Sequence, residues 1–138
     1  EKCDYVRAVL EGVAMNLDII LTAQRENVSI NELVLTGGGA RGDVVAQILA
    51  DVLELPLYRL DHVESATSIA AATIAGVGVG VFDDFSVVNQ FVKREKVFEP
   101  NSENREIYIK QKELFEMGYQ CLKKYYELEA RKSCEQTI

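Results

Sequence analysis

Basic charge is in short supply in this chain. Its 138 residues carry 15 Lys and Arg against 22 Asp and Glu, a formal net charge of −7. A surface of that sign repels nucleic-acid backbones and anionic lipid, so no nucleic-acid or membrane-surface partner is expected. Any phosphate held here must be met by backbone dipoles more than by a basic patch. Cysteine is sparse too: Cys3, Cys121 and Cys134 are odd in number, widely spaced and without a C-x-x-C pair. Such usage excludes a disulfide framework and a zinc site and points to reduced thiols in the cytoplasm. With His62 the single histidine, a Cys/His metal cluster has almost no material. The apolar stretch Ile69–Phe82 is too short to span a bilayer, and no signal peptide is legible.

What is present suits a globular core, with 48% apolar and 27% charged residues. The length fits one domain or a piece of a larger protein. A helical pattern already running by Tyr5 favours the second, with Glu1 at the start. Val6, Leu10, Val13, Leu17 and Leu21 recur at helical spacing, which predicts an amphipathic helix over about 4–26. Gly12 lies inside it at a cost of roughly 1 kcal/mol relative to alanine. Leu33–Thr36 reads as a buried strand, and a second helix opens near Asp43 with Val45, Ile48, Leu49, Val52 and Leu53 on one face. It closes before Pro56. Leu57–Leu60 is a second strand, and residues 64–75 form an Ala-rich third helix whose small-residue face should pack tightly. Gly76, Gly78 and Gly80 are expected to end it.

That order predicts an α/β fold with parallel strands. Composition changes after Asp83-Asp84, and residues 86–103 read as a mixed segment. Pro100-Asn101-Ser102 breaks the chain before a last helix over about 103–130, with Ile107, Leu114, Leu122, Tyr125 and Tyr126 along one side. Residues 1–85 are thus one unit, and 86–138 are a connecting segment and C-terminal helix with a frayed tail. Two strands make a poor sheet. Their apolar runs suggest cover on both faces, and further strands should come from outside the chain, leaving an edge open to a second copy.

The chemistry concentrates at Leu33-Val34-Leu35-Thr36-Gly37-Gly38-Gly39-Ala40, a strand running into three glycines ahead of a helix. Glycine lacks Cβ, so a ligand can lie against bare backbone. The free N–H groups and positive end of the helix then favour phosphate or ribose oxygens. G-x-x-x-x-G-K-[ST] is absent, which excludes the usual P-loop. Gly37-x-Gly39-x-x-Gly42 does satisfy the dinucleotide pattern, with Asp61 after the next strand where a ribose-binding acid belongs. Against a Rossmann-type module, a long helix precedes the strand. A non-catalytic α/β interaction domain assembling through its sheet edge is a third reading.

Three further segments accompany the glycines: Arg7-Ala8-Val9-Leu10-Glu11-Gly12-Val13-Ala14, Ile48-Leu49-Ala50-Asp51-Val52-Leu53, and Ala66–Ala72 followed by Ala75-Gly76-Val77-Gly78-Val79-Gly80. In order and spacing the set resembles the C-terminal half of the FGGY carbohydrate kinases over about residues 5–85, the xylulose kinases most of all. The resemblance implies a partial ribonuclease-H-like, actin-like ATPase domain: helix–strand–helix–strand–helix plus a C-terminal helix. It further implies that Gly37, Gly38, Gly39 and Ala40 lie against the adenosine and phosphates of ATP. Asp43 stands where some relatives place an asparagine near the adenine. Ala70-Ala71-Ala72 departs from the family's common Gly-Ala-Ala.

In such kinases an acid accepts the proton of a sugar hydroxyl while magnesium-bound ATP transfers its γ-phosphoryl group. The family keeps that acid, the sugar site and an Asp-x-Gly-Thr phosphate loop mainly on an N-terminal domain, and no such motif occurs here. The expectation is the ATP-binding part of a pentulose kinase, with Mg2+ arriving on ATP. It would be inactive alone and completed by the N-terminal domain. Other candidates read as structural: Glu11 as a buried hydrogen-bonding acid or a helix-surface carboxylate, Asp51 as exposed or engaged with the next loop, His62 as a loop residue and Asp83-Asp84 as a solvated turn. Lys123-Lys124 and Arg131-Lys132 read as helix surface.

Overall fold

The computed structural model describes residues 1–61 and 63–135, with backbone alone over 129–135. The elements are α1 (Lys2–Arg25), β1 (Leu33–Leu35), α2 (Asp43–Leu53), β2 (Leu57–Leu60), α3 (Ala66–Gly78), β3 (Arg94–Phe98) and α4 (Arg105–Glu135). Short 3-10 turns lie at Gly38–Arg41 and Phe85–Gln90. One compact unit runs Glu1–Ser102, and a second starts at Glu103 and consists of α4.

The first unit is organised around α2. Ala46, Ile48, Leu49, Ala50, Val52 and Leu53 are buried, with α1 packed against the helix. Each large apolar side chain so buried contributes about 1.5–3 kcal/mol. Glu54 ends α2 in the left-handed region at φ 52° and ψ 38°. From the end of α1, Arg25 Nη2 donates to the Leu53 carbonyl at 3.1 Å, meeting one of the acceptors a helix end leaves open.

β1 pairs parallel with β2 (Leu33 with Leu57, Leu35 with Arg59). β2 pairs antiparallel with β3 (Leu57 with Phe98, Arg59 with Lys96), so the order is β1-β2-β3. The sheet is therefore mixed and has three strands rather than two parallel ones. β3 escapes a reading by apolar pattern because Arg94-Glu95-Lys96-Val97 is exposed and only Phe98 is buried. It joins residues beyond 85 to the same compact unit. β1 is less covered than expected, with Val34 half exposed.

Two other expectations give way. On α1 the buried residues are Ala14, Met15 and Leu21, while Val6, Val13 and Leu17 of the expected stripe stay largely exposed. The helix uses a narrow contact on α2 and leaves the rest of its apolar surface open. On α3 the small-residue face is open as well: Ala70, Ala71, Ala72 and Ala75 are exposed, and among the described residues only Thr73 of this helix is buried. Gly76 and Gly78 lie within α3, and the left-handed glycine is Gly80, at φ 73°. Gly76 instead permits a close approach, since a Cβ there would stand 2.4 Å from the Phe82 ring.

The second unit is the single helix α4. Ile107, Leu114, Leu122, Tyr125 and Tyr126 are exposed on it, and Tyr125 and Tyr126 meet edge to face at 5.8 Å. The helix continues through the expected tail to Glu135.

Candidate functional site

The parallel pair β1 and β2 sets the location. In α/β sheets the crevice beyond the carboxyl ends of parallel strands is where loops and helix N-termini converge. The glycine turn leaves the end of β1 there. Gly37 takes φ 81° and ψ −172°, a conformation open essentially to glycine alone. Gly38–Arg41 then form one 3-10 turn, closed by the Ala40 N–H donating to the Gly37 carbonyl at 3.0 Å. Ala40 is fully buried and anchors the turn.

Gly38 and Gly39 are different. Neither has a positive φ, and a Cβ on either would meet no heavy atom within 4 Å. Neither backbone strain nor internal packing calls for glycine at these two positions. Bare backbone there faces outward. α2 follows directly, its N-cap Gly42 bringing no side-chain acceptor, so the first-turn N–H groups are open to an acceptor from elsewhere.

Charges converge beside this turn. Asp43, the first residue of α2, accepts from Arg59 Nη1 at 2.7 Å and from Lys96 Nζ at 2.6 Å, one cation on each oxygen. Those two bonds, Lys96 first and then Arg59, hold the Asp43 carboxyl below the usual carboxylate range. The Asp43 hydrogen bond in turn raises the Arg59 guanidinium further above its ordinary value. Arg59 also donates to the Ala40 carbonyl at 3.4 Å and pairs with Glu95 at 3.3 Å. Its guanidinium stands 5.6 Å from the Phe98 ring centre, with Lys96 Nζ at 5.0 Å. Arg41 pairs with Glu64 at 2.7 Å, tying the turn to the approach to α3.

Gly37, Gly38, Gly39, Ala40 and Asp43 thus lie together, joined by two residues the sequence reading did not single out: Arg59, within the expected strand Leu57–Leu60, and Lys96, within the segment read as mixed. A signal existed: Arg59 is the single charge in the apolar run Leu57-Tyr58-Arg59-Leu60. Lys96 had none, since it lies in a strand without an apolar pattern.

Asp61, the acid of the dinucleotide reading, is engaged elsewhere. Its Oδ1 accepts from the Lys93 N–H at 2.8 Å, and its own N–H donates to the Lys93 carbonyl at 2.9 Å, fastening the lead into β3. Asp51, expected to be either exposed or engaged with the next loop, is buried. Its Oδ1 accepts from Gln47 Nε2 and from the Asn101 N–H, each at 2.8 Å, fixing the loop after β3. Glu11 accepts from Arg7 Nε at 2.8 Å one helical turn away. Asp84 accepts from the Ser86 N–H at 2.7 Å and caps the 3-10 turn that follows. Among the described residues no group of three or more His, Cys, Asp or Glu side chains could hold a metal ion, and no helix is long and apolar enough to cross a membrane. His62 lies outside the described residues, as do the side chains of Arg131, Lys132 and Cys134.

Residues 1–79 match the model of the FGGY family of carbohydrate kinases, C-terminal domain. A xylulose kinase of Staphylococcus epidermidis is 37% identical over 120 residues, 86% of this chain and 24% of that protein. An autoinducer-2 kinase of an Enterobacter species is 36% identical over 114 residues, covering 78% and 21% respectively. The crystal structure of a ligand-bound xylulose kinase from Lactobacillus acidophilus superposes with a TM-score of 0.75 at 28% identity, over 88% of this chain and 25% of that one. The chain spans about a quarter of the length of the relatives it matches. Its fold is that of this part of an actin-like ATPase.

Proposed function

The chain belongs to the FGGY family of carbohydrate kinases, and on that premise we propose that it is the ATP-binding C-terminal part of an enzyme phosphorylating a pentulose of the xylulose type. The observation that carries the reading is the pair Gly38 and Gly39. Glycine is placed where neither φ nor a neighbour demands it, at the carboxyl end of β1 and ahead of an N-terminus without a side-chain cap. Backbone kept bare for no internal reason is what a nucleotide laid against the turn requires.

In this reading Gly37 shapes the turn, Gly38 and Gly39 admit the adenosine and phosphates of ATP, and Ala40 anchors the turn from below. Asp43 opens α2 beside them. Bound ATP supplies the γ-phosphoryl group, and magnesium arrives with it. The sugar site and the acid that takes the hydroxyl proton belong to the remainder of the protein. The scale of the forces agrees. A helix N-terminus contributes roughly 0.3–1 kcal/mol toward an anion, whereas micromolar affinity requires about 8 kcal/mol. A second surface must close over the nucleotide, so the 138 residues alone are expected to show no sugar kinase activity.

The test is Gly38→Ala and Gly39→Ala in the whole protein, with steady-state kinetics in ATP and xylulose. Stability should hold or rise by about 0.4–1 kcal/mol, because the added methyl is unopposed and stiffens the unfolded chain. KM for ATP should rise about tenfold, equivalent to about 1.4 kcal/mol, while KM for the sugar stays level. Unchanged ATP kinetics in both variants would overturn the assignment of the turn. Activity on hexoses or glycerol in place of xylulose would overturn the substrate.

A further inference from the structure

The charges beside the turn have a function that the glycines do not explain. We propose that Arg59 is a positioning residue for the nucleotide turn, holding the Ala40 carbonyl and the Asp43 carboxylate on one guanidinium. The proposal rests on the nucleotide reading above and adds to it a residue that touches no substrate.

Arg59 is well placed for this. It pairs with Leu35, the last residue of β1, on one side and with Lys96 of β3 on the other. It therefore stands beside the point from which the turn departs. Its side chain is only 14% exposed, and Glu95 at 3.3 Å and the Phe98 ring at 5.6 Å also hold the guanidinium. Its Nη1 makes the two grips, to Ala40 O at 3.4 Å and to Asp43 Oδ1 at 2.7 Å. Ala40 and Asp43 flank Arg41 and Gly42, the short link between the turn and α2. Gripping both sets the spacing between the outward glycine backbone and the helix N-terminus. Both grips are made by the two N–H groups of Nη1 while Nε donates to Glu95, a division between two nitrogens that the single ammonium of lysine does not offer.

Charge points the same way. An anion at the first position of a helix is attracted to the same positive end that a phosphate would use. Here both Asp43 oxygens are taken, by Arg59 and Lys96. Arg59, Lys96, Asp43 and Glu95 sum to zero. Without Arg59 the turn would lose its brace, and Lys96 alone would face both Asp43 and Glu95, leaving the cluster beside the nucleotide with a net charge of −1.

The experiment compares Arg59→Gln and Arg59→Lys with the parent in the whole protein, by two readouts. The first needs no nucleotide: amide hydrogen exchange at Ala40, whose N–H closes the turn, against the β2–β3 ladder. Arg59→Gln should speed exchange at Ala40 about two- to fivefold, the range expected for a partly exposed charged contact, with the ladder unchanged. The second is the kinetic split. KM for ATP should rise about fivefold with kcat and the sugar KM within twofold, and Arg59→Lys should recover part of that loss. Unchanged exchange at Ala40, or a ladder loosened as much as the turn, would overturn the proposal. Loosening at Ala40 in a protein that proves not to use ATP would uphold the brace and overturn the nucleotide reading instead.

Discussion

α2 and α3 start alike and end differently. Each follows a strand through a short connection and each is rich in apolar residues. Yet seven of the 11 residues of α2 are buried, whereas α3, with 13, buries Thr73 alone among the described residues. The difference lies in what each helix meets. α2 is packed by α1 and lies against β2 and β3, all within one compact unit. α3 meets chiefly the 3-10 turn Phe85–Gln90. Alanine offers little area, so leaving Ala70, Ala71 and Ala72 open forfeits little of the roughly 25 cal/mol per Å² that burial returns. Apolar composition makes a helix able to be buried, and a facing surface decides whether it is.

The sharpest way to break that contrast is one isoleucine on each helix. Ile48 of α2 is 3% exposed and Ile74 of α3 is 63% exposed. Ile48→Ala should cost about 2–5 kcal/mol, the transfer term plus a cavity, while Ile74→Ala should stay within about 0.5 kcal/mol. Urea unfolding of the two variants measures both. A cost at Ile74 approaching that at Ile48 in the whole protein would mean that the α3 face is covered there, and the contrast would belong to this unit alone.

Next in size is a pair of glycines on α3. A Cβ at Gly76 would stand 2.4 Å from Phe82 Cδ2, whereas one at Gly78 would meet nothing within 4 Å. Gly76→Ala gains about 1 kcal/mol of helix propensity but must displace a ring at a cost of about 1–3 kcal/mol. The expected result is a net loss of up to about 2 kcal/mol. Gly78→Ala, near the helix end, should gain up to about 1 kcal/mol. Shortening the ring by Phe82→Leu should reverse the sign at Gly76. If it does not, the close approach is not what holds Phe82 over α3.

These two helices also show what was legible in the sequence. The 3.6-residue pattern located α2 to the residue at its start, and the flanking Pro56 and glycines bounded β2 and the turn, because there local chemistry and tertiary burial agree. For α3 the elements were legible and the packing was not, since a run of alanines looks the same whether covered or bare. On α1 the apolar stripe through Val6, Val13 and Leu17 is present but faces outward, as Ala14 and Met15 make the contact. β3 was invisible because its pairing is carried by backbone and ion pairs, with Phe98 its single buried side chain. The glycines of the candidate site could be read by type. Arg59 showed only as a lone charge in an apolar strand and Lys96 not at all, because their roles arise from the register that sets Arg59 between Leu35 and Lys96.

The smallest effect separates the two regions by charge. Asp43 at the start of α2 is held below the ordinary carboxylate range by Lys96 and then Arg59. Asp84, which caps the turn packed on α3, is held below it by hydrogen bonds from the Ser86 hydroxyl and then its backbone N–H. A carboxylate depressed in the folded state stabilises above its unfolded pKa and loses that contribution as pH falls through its folded value. Both regions should therefore loosen as pH drops below about 4, the ordinary aspartate value, and neither should change between pH 6 and 8. Salt distinguishes them. Exposed ion pairs are screened within a few ångström at 1 M salt, whereas a hydrogen bond between neighbours in sequence is not a long-range charge effect. Raising salt to about 1 M at neutral pH should speed amide exchange in the first turn of α2 and leave the Phe85–Gln90 turn as it was. Asp43→Asn should remove most of the acid response at α2 and none at the other turn. Equal salt sensitivity in both would show that the start of α2 is held by packing rather than by Arg59 and Lys96, and the two regions would then differ in burial alone.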